Sequence, residues 1–359
     1  MFRRILLSLL TTVLISAFGA SAFAEKQGNN GNPNIVINAV GDIMLGSRLP
    51  QPALPPEDGA VLFRFSKEYL NKGNPDIIFG NLEGAITDHS QSPKNIDSPR
   101  VFAFQMPPSY TRWLKDAGFN VMSTANNHAF DFGMQGYRDT RRYLREAGIK
   151  YCGEKGEVVT MEIKGRKVAV VGFGWTDYFN NILRIEESAK FIREMKQTHD
   201  IVVVTFHGGT EGRGARNVRD EMEMFYNSRR GNLVRFSRAM IDAGADLIIG
   251  HGPHIPRSME IYKDRLIAYS LGNFVTYVVF RSTPPNNYSQ VLNVELDSEG
   301  RFVTGQVIPM IQYETGQYKG IPKYDPEGRT IKYMQEVMKE DFPGNPIRLG
   351  DDGVISVGK

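Results

Sequence analysis

Residues 247–256 read LIIGHGPHIP: a short apolar run, a Gly, then His251 and His254 bracketing a rigid Gly252-Pro253 turn. A buried strand that stops in Gly and two imidazoles has the form of a strand end at the edge of an α/β sheet. The same format recurs upstream. His207 closes VVVTFHGGTE (202–211), and Asn127 with His128 lies in STANNHAFDFG (123–133). Acids hold the equivalent place in IVINAVGDIML (35–45), at Asp42, and in DIIFGNLEG (76–84), where Asn81 and Glu83 follow Ile77–Phe79. Four of the six histidines thus sit at strand ends, whereas His89 and His199 match no such pattern and read as surface residues. Strands ending side by side would gather these groups into one cluster, which is where α/β proteins build catalytic and metal sites.

Further apolar runs occur at Val121–Ser123, Val168–Val171, Leu266–Ser270 and Val291–Leu296. Amphipathic stretches lie between several of them and close on Gly: 109–117 before Gly118, 134–147 before Gly148 and 231–243 before Gly244. Gly just past a helix relieves the left-handed C-terminal position, so strand, helix, Gly, strand is the rhythm of an α/β sheet. A shorter helix is expected at 190–196 and an amphipathic one near 330–339. From Arg265 onward strands follow one another without helices, which predicts a mixed sheet or a second sheet packed on the first. The polar connection 84–107 follows Glu83 directly and is a candidate site wall.

The chain has 359 residues, 41% hydrophobic and 23% charged, a globular composition. A net charge of +3, without a long basic run, argues against nucleic acid as partner. Arg3 and Arg4 precede an apolar run to about Phe18, and Ala22-Phe23-Ala24 before Glu25 forms an A-x-A cleavage signal. Residues 1–24 are therefore expected to be a secretory signal peptide, or an anchor if uncleaved, and 25–33 a flexible Gly/Asn-rich spacer. The sole cysteine, Cys152, has no partner for an internal disulfide and reads as a buried, inert thiol. Phosphate-loop, serine-elbow, H-E-x-x-H and cysteine-zinc patterns do not occur, which argues against nucleotide-driven and serine-hydrolase chemistry.

Taken singly, each candidate has a plain structural role as well as a chemical one. Asp42 can ligate a metal or cap a turn, and Glu83 can ligate, act as a base or be a solvated loop acid. Asn127 and His128 are good borderline-metal ligands, with Asp131 placed to orient His128, or they form an ordinary helix-initiating turn. Glu211 beside His207 is a second candidate base. Arg213 and Arg216 can clamp an anionic group or remain solvated. Asn273, in YSLGNF (269–274), can bond substrate or hold its loop.

The ordered set GDIMLGSR, GNLEG, STANNHAFDFG, HGGTE, GHGPH and YSLGNF resembles the CapA family of poly-γ-glutamate capsule biosynthesis, a branch of the calcineurin-like metallophosphoesterase superfamily. The resemblance implies an α/β fold of two mixed β-sheets sandwiched between helices, over residues 34–318, with 319–359 as a C-terminal extension. It implies a divalent metal centre, one or two ions of Mn, Fe or Zn. The ligands would come from Asp42, Glu83, Asn127, His128, His207, His251 and His254, and His128, Glu83, Glu211 and Arg213 would carry catalysis. Two departures accompany it. Met44 stands where the superfamily's Asp-x-His motif has histidine, and the usual bridging aspartate is replaced by the Asn81/Glu83 segment. The expected function is an exported, metal-dependent hydrolase of the periplasm or cell surface. Its substrate would be an anionic envelope polymer or a small molecule, in contact with a membrane-bound capsule synthesis complex. The alternative is a non-catalytic polymer-binding or export component.

Overall fold

The computed structural model describes residues 33–98, 101–277 and 282–358. The expected signal peptide and all of the spacer except Pro33 lie outside the described residues. Among the described residues no helix is long and apolar enough to cross a membrane.

Alternation of side chains along the apolar runs builds two sheets with both faces covered. In the first, ten-stranded sheet, Ile35–Met44 runs parallel to Ile77–Leu82, which is followed by Val121–Ser123 and Lys150–Cys152. On its other side lie the antiparallel strands Tyr288–Leu296 and Phe302–Gln312. The second sheet has seven strands, with Arg166–Gly174, Ile201–His207, Leu247–His251 and Arg265–Ala268 parallel and antiparallel strands at its edges. Ile35, Ile37, Ile77, Phe79 and Val121 of the first sheet pack against Val168, Val170, Ile201, Val203, Leu247 and Ile249 of the second. The alternate residues face outward. Val40, Ile78 and Met122 meet helical Leu114 and Leu144, while Val171, Val202, Val204 and Ile248 meet Ile192, Phe236 and Met240. The result is the expected sandwich of two mixed sheets between helices. Each fully buried Leu, Ile, Val or Phe side chain contributes about 1.5–3 kcal/mol.

Helices form where expected, at Thr111–Ala117, Gly133–Glu146, Ile185–Lys196, Leu233–Asp242 and Arg329–Asp341. Gly118 takes the left-handed conformation after the first of these (φ 105°) and closes its C-terminus. Ile185–Lys196 begins five residues before the expected 190–196, because Glu186 and Glu187 extend it by a turn at its N-terminal end, where acids are favourable.

Residues 319–358 do not trail from the domain. Pro322–Tyr324, Ile347–Leu349 and Val354–Val357 are strands of the ten-stranded sheet, and Ile331, Met334 and Met338 of the last helix join the core between the sheets. The expected boundary at 318 is therefore no break in the fold. Three-residue strands such as Ile347–Leu349, whose middle residue is the exposed Arg348, carry too little periodicity to be read as strands alone.

Candidate metal centre

Strand register places the site residues next to one another. Asp42 pairs with Asn81 on one side and Asn273 on the other, and His207 pairs with His251 across the second sheet. Close backbone approach at these ends requires glycine. A Cβ on Gly41 would lie 1.9 Å from the Gly272 carbonyl oxygen. Gly252, at φ 116°, would meet the Gly208 oxygen at 2.5 Å.

Asp42 is wholly buried. Its Oδ1 accepts from Asn81 Nδ2 at 2.8 Å, and its Oδ2 accepts from His254 Nδ1 at 3.0 Å. His251 Nδ1 lies 3.4 Å from Oδ1 without forming a hydrogen bond. Burial alone would push this carboxyl up, but His251 and His254 outweigh it and hold Asp42 far below the usual carboxylate range. Asn81 is a hydrogen-bonding hub of the cluster. Asn126 Nδ2 donates to Asn81 Oδ1 at 3.1 Å, which orients the amide so that Nδ2 donates to His207 Nδ1 at 3.1 Å.

Glu83 occupies the centre. Its Oε1 lies 3.7 Å from His207 Nε2, 3.8 Å from His254 Nε2 and 4.0 Å from His128 Nε2. Both carboxylate oxygens are buried and neither has a hydrogen-bond partner. Burial pushes this carboxyl well above its usual range; Asp42 and Glu211 add to the shift and His254 opposes it. His254 adopts the left-handed backbone conformation (φ 59°) that turns its ring between the two acids. Burial lowers its pKa, but Glu83 and Asp42 prevail and raise it to about 10. Burial pushes His207 and His128 the other way, below the ordinary imidazole value.

His128 is oriented as the sequence suggests: its Nδ1 bonds Asp131 Oδ2 at 2.8 Å. Asp131 in turn is held by Phe104 N at 2.7 Å and by the Lys94 ammonium, both from the connection 84–107. Phe104 packs on the His128 ring at 4.4 Å, so this connection does form a wall of the site. Asn127 is half-buried with its Oδ1 buried and unpartnered. Glu211 stands at the mouth, 3.8 Å from His254 Nε2. The side chain of Arg213 lies outside what is described. Arg216 pairs with Glu340 of the last helix at 3.2 Å, an intramolecular ion pair.

Two residues that sequence reasoning passed over, Trp175 and Arg230, complete the surroundings, and within the candidate segment 126–128 it is the first amide that reaches the hub. Asn126, not Asn127, bonds the hub and the Leu82 carbonyl. Trp175 lies 5.5 Å from the His207 ring, and Arg230 lies 3.9 Å over Trp175. Trp175 follows the strand Arg166–Gly174 directly but has no ligating side chain, and Arg230 lies on a short hairpin, so only the tertiary fold reveals them.

Ligand atoms of Asp42, Glu83 and His207 lie within 4.8 Å of one another. Buried polar atoms are almost always satisfied, yet Glu83 Oε1 and Oε2, His207 Nε2 and both His251 nitrogens lack partners. Two carboxylates with imidazoles suit a borderline divalent ion, so the residues present fit the expected metal. Two face-to-face mixed sheets between helices, with this cluster at the strand ends, define an α/β sandwich protein with a candidate metal site.

The chain belongs to the family described as bacterial capsule synthesis protein PGA_cap, whose model matches residues 36–278. It is 30% identical over 301 residues to the capsule biosynthesis protein CapA of Bacillus anthracis, covering 76% of this chain and 67% of that one. It is 30% identical over 287 residues to the PGA biosynthesis protein CapA of Bacillus subtilis (strain 168), with 73% and 69% covered. Among solved structures it is similar to a putative 5'-nucleotidase from Staphylococcus aureus, at TM-score 0.43 and 15% identity, covering 86% of this chain and 58% of that one.

Proposed function

We propose that this protein is an exported, metal-dependent hydrolase acting on an anionic polymer in poly-γ-glutamate capsule synthesis. The relatives named for capsule and PGA biosynthesis support the setting. One observation carries the chemistry: the unpartnered, buried Glu83 carboxylate at the convergence of three imidazoles. Asp42, Glu83 and His207 would hold the ion, with His254 and His251 against Asp42 from the second sheet. A divalent ion held there would lower the pKa of water towards neutrality and polarise the scissile group.

The chain's own groups supply the rest. Glu211, the acid nearest the mouth, takes the proton of the attacking water. His128 stabilises negative charge developing on the substrate oxygen, and Asp131 anchors its Nδ1 so that Nε2 faces the reacting group. Burial of His128, Glu83 and Asp42 excludes bulk water and strengthens each of these interactions.

The test is turnover by purified, metal-loaded protein on phosphoester and γ-glutamyl amide substrates, with His128→Ala as the comparison. Hydrolysis that falls by about a hundredfold or more in the variant supports the reading. A protein that hydrolyses neither class, yet supports polymer production in cells, belongs to the polymer-handling alternative.

A further inference from the structure

Arg230 is the penultimate residue of the strand Ser228–Gly231, in a hairpin with Glu223–Phe225. The hairpin is fastened to the centre through its backbone, because Gly209 N donates to the Arg230 carbonyl at 2.8 Å, two residues past His207. The guanidinium is almost fully buried, between the Trp175 ring (3.9 Å) and the Phe225 ring (5.1 Å). Such stacking holds an arginine in place and leaves its edge free to donate.

Within the protein that edge makes one contact, an ion pair to Glu211. Arg230 Nη1 comes within 3.1 Å of Glu211 Oε1, but neither atom forms a hydrogen bond, and Arg230 Nε is also buried without a partner. The two oppositely charged groups are close in space but misaligned in direction. A buried guanidinium with an unpartnered Nε and a misaligned Nη1 ion pair is costly, whereas a forked oxyanion satisfies both donors at once. Glu211 Oε2 is 3.8 Å from His254 Nε2, which is 3.8 Å from Glu83, so the Arg230 edge lies one carboxylate away from the candidate metal centre.

We propose that Arg230 is the substrate-anion receptor of this site: its Nε–Nη1 edge binds an oxyanion of the substrate, a carboxylate or a phosphate, beside the metal centre. Trp175 and Phe225 set its plane. The inference rests on the hydrolase reading for the word substrate, but binding tests it separately from turnover.

The experiment is calorimetric titration of the full, metal-loaded chain with two probes, inorganic phosphate and a γ-linked glutamate trimer. Wild type, Arg230→Met and Arg230→Lys are compared, with metal content measured on each. The expected result is binding of at least one probe by wild type, weakened about tenfold or more in Arg230→Met. Metal content should be unchanged, since Arg230 holds no metal. Arg230→Lys keeps the charge and stem, guards against a folding defect, and should recover only part of the affinity because the fork is lost. The probe that responds identifies the oxyanion. Equal affinity in wild type and both variants, or no binding of either probe by wild type, overturns the proposal. Failure of hydrolysis with this binding pattern intact would instead count against the hydrolase reading alone.

Discussion

His254 Nδ1 and Asp42 Oδ2 lie 3.0 Å apart although 212 residues separate them, and the contact joins the two sheets at their strand ends. Asp42 belongs to the ten-stranded sheet, and His254 follows the last residue of a strand in the other. Removing one member of a buried charged pair leaves the other uncompensated, typically at about 3–5 kcal/mol. Asp42→Ala should therefore destabilise chelator-treated protein by about that much in urea unfolding. The double variant Asp42→Ala/His254→Leu should lose less than the sum of the single changes. Strict additivity would show that the contact does not couple the sheets.

Metal uptake should expel protons. His254, raised to about 10, is protonated at neutral pH in the metal-free protein, and Glu83 is pushed towards its neutral form. Affinity should rise with pH between 6 and 8, by about tenfold per unit for each proton displaced. Calorimetry in buffers of different ionisation enthalpy measures the number released. The sign for stability is opposite. A folded-state pKa above that of free imidazole means that the proton on His254 stabilises the metal-free fold fully at low pH. That contribution fades as pH climbs from about 6.5 towards 10.

Asp131 positions His128 rather than touching substrate. Asp131→Asn keeps the shape but loses the charge that holds Nδ1–H. It is expected to lower turnover by about 10–100-fold while the bound metal is retained. Loss of metal in step with activity would place Asp131 in the metal scaffold instead.

The glycine at 41 is a packing requirement. Gly41→Ala brings a methyl group to 1.9 Å from a backbone oxygen, which forces the Gly272 turn away from Asp42. The expected loss is about 3 kcal/mol or more, with metal affinity falling alongside. Gly344→Ala, which meets nothing within 4 Å, is the control and should be near neutral.

Much of this arrangement is legible in the chain. Ile35, Ile37, Ile77, Phe79, Ile201 and Val203 show the buried strands directly, because a strand covered on both faces reads as a continuous apolar run. The strand-end ligands are legible for the same reason: a polar residue straight after such a run has only the sheet edge to occupy. Met44 is fully buried within its strand, and Asn273 bonds His254 Nδ1 at 3.1 Å beside it. Register across strands 230 residues apart, not local pattern, decides that neighbourhood, as Asp42 opposite Asn273 shows. Arg230 was invisible for a different reason. Its environment is made by Trp175 and Glu211, from two other segments, and a lone arginine on a short hairpin carries no periodic signal.

Metal stoichiometry tests the central claim most directly. The full chain, purified without chelator and loaded with Mn²⁺ or Zn²⁺, is passed through desalting and assayed by elemental analysis, alongside Glu83→Gln. The account predicts at least one tightly held ion per wild-type chain and a clear loss in the variant, whose amide removes the central charge. A wild-type chain that retains no ion, or a variant that retains as much as wild type, would contradict it.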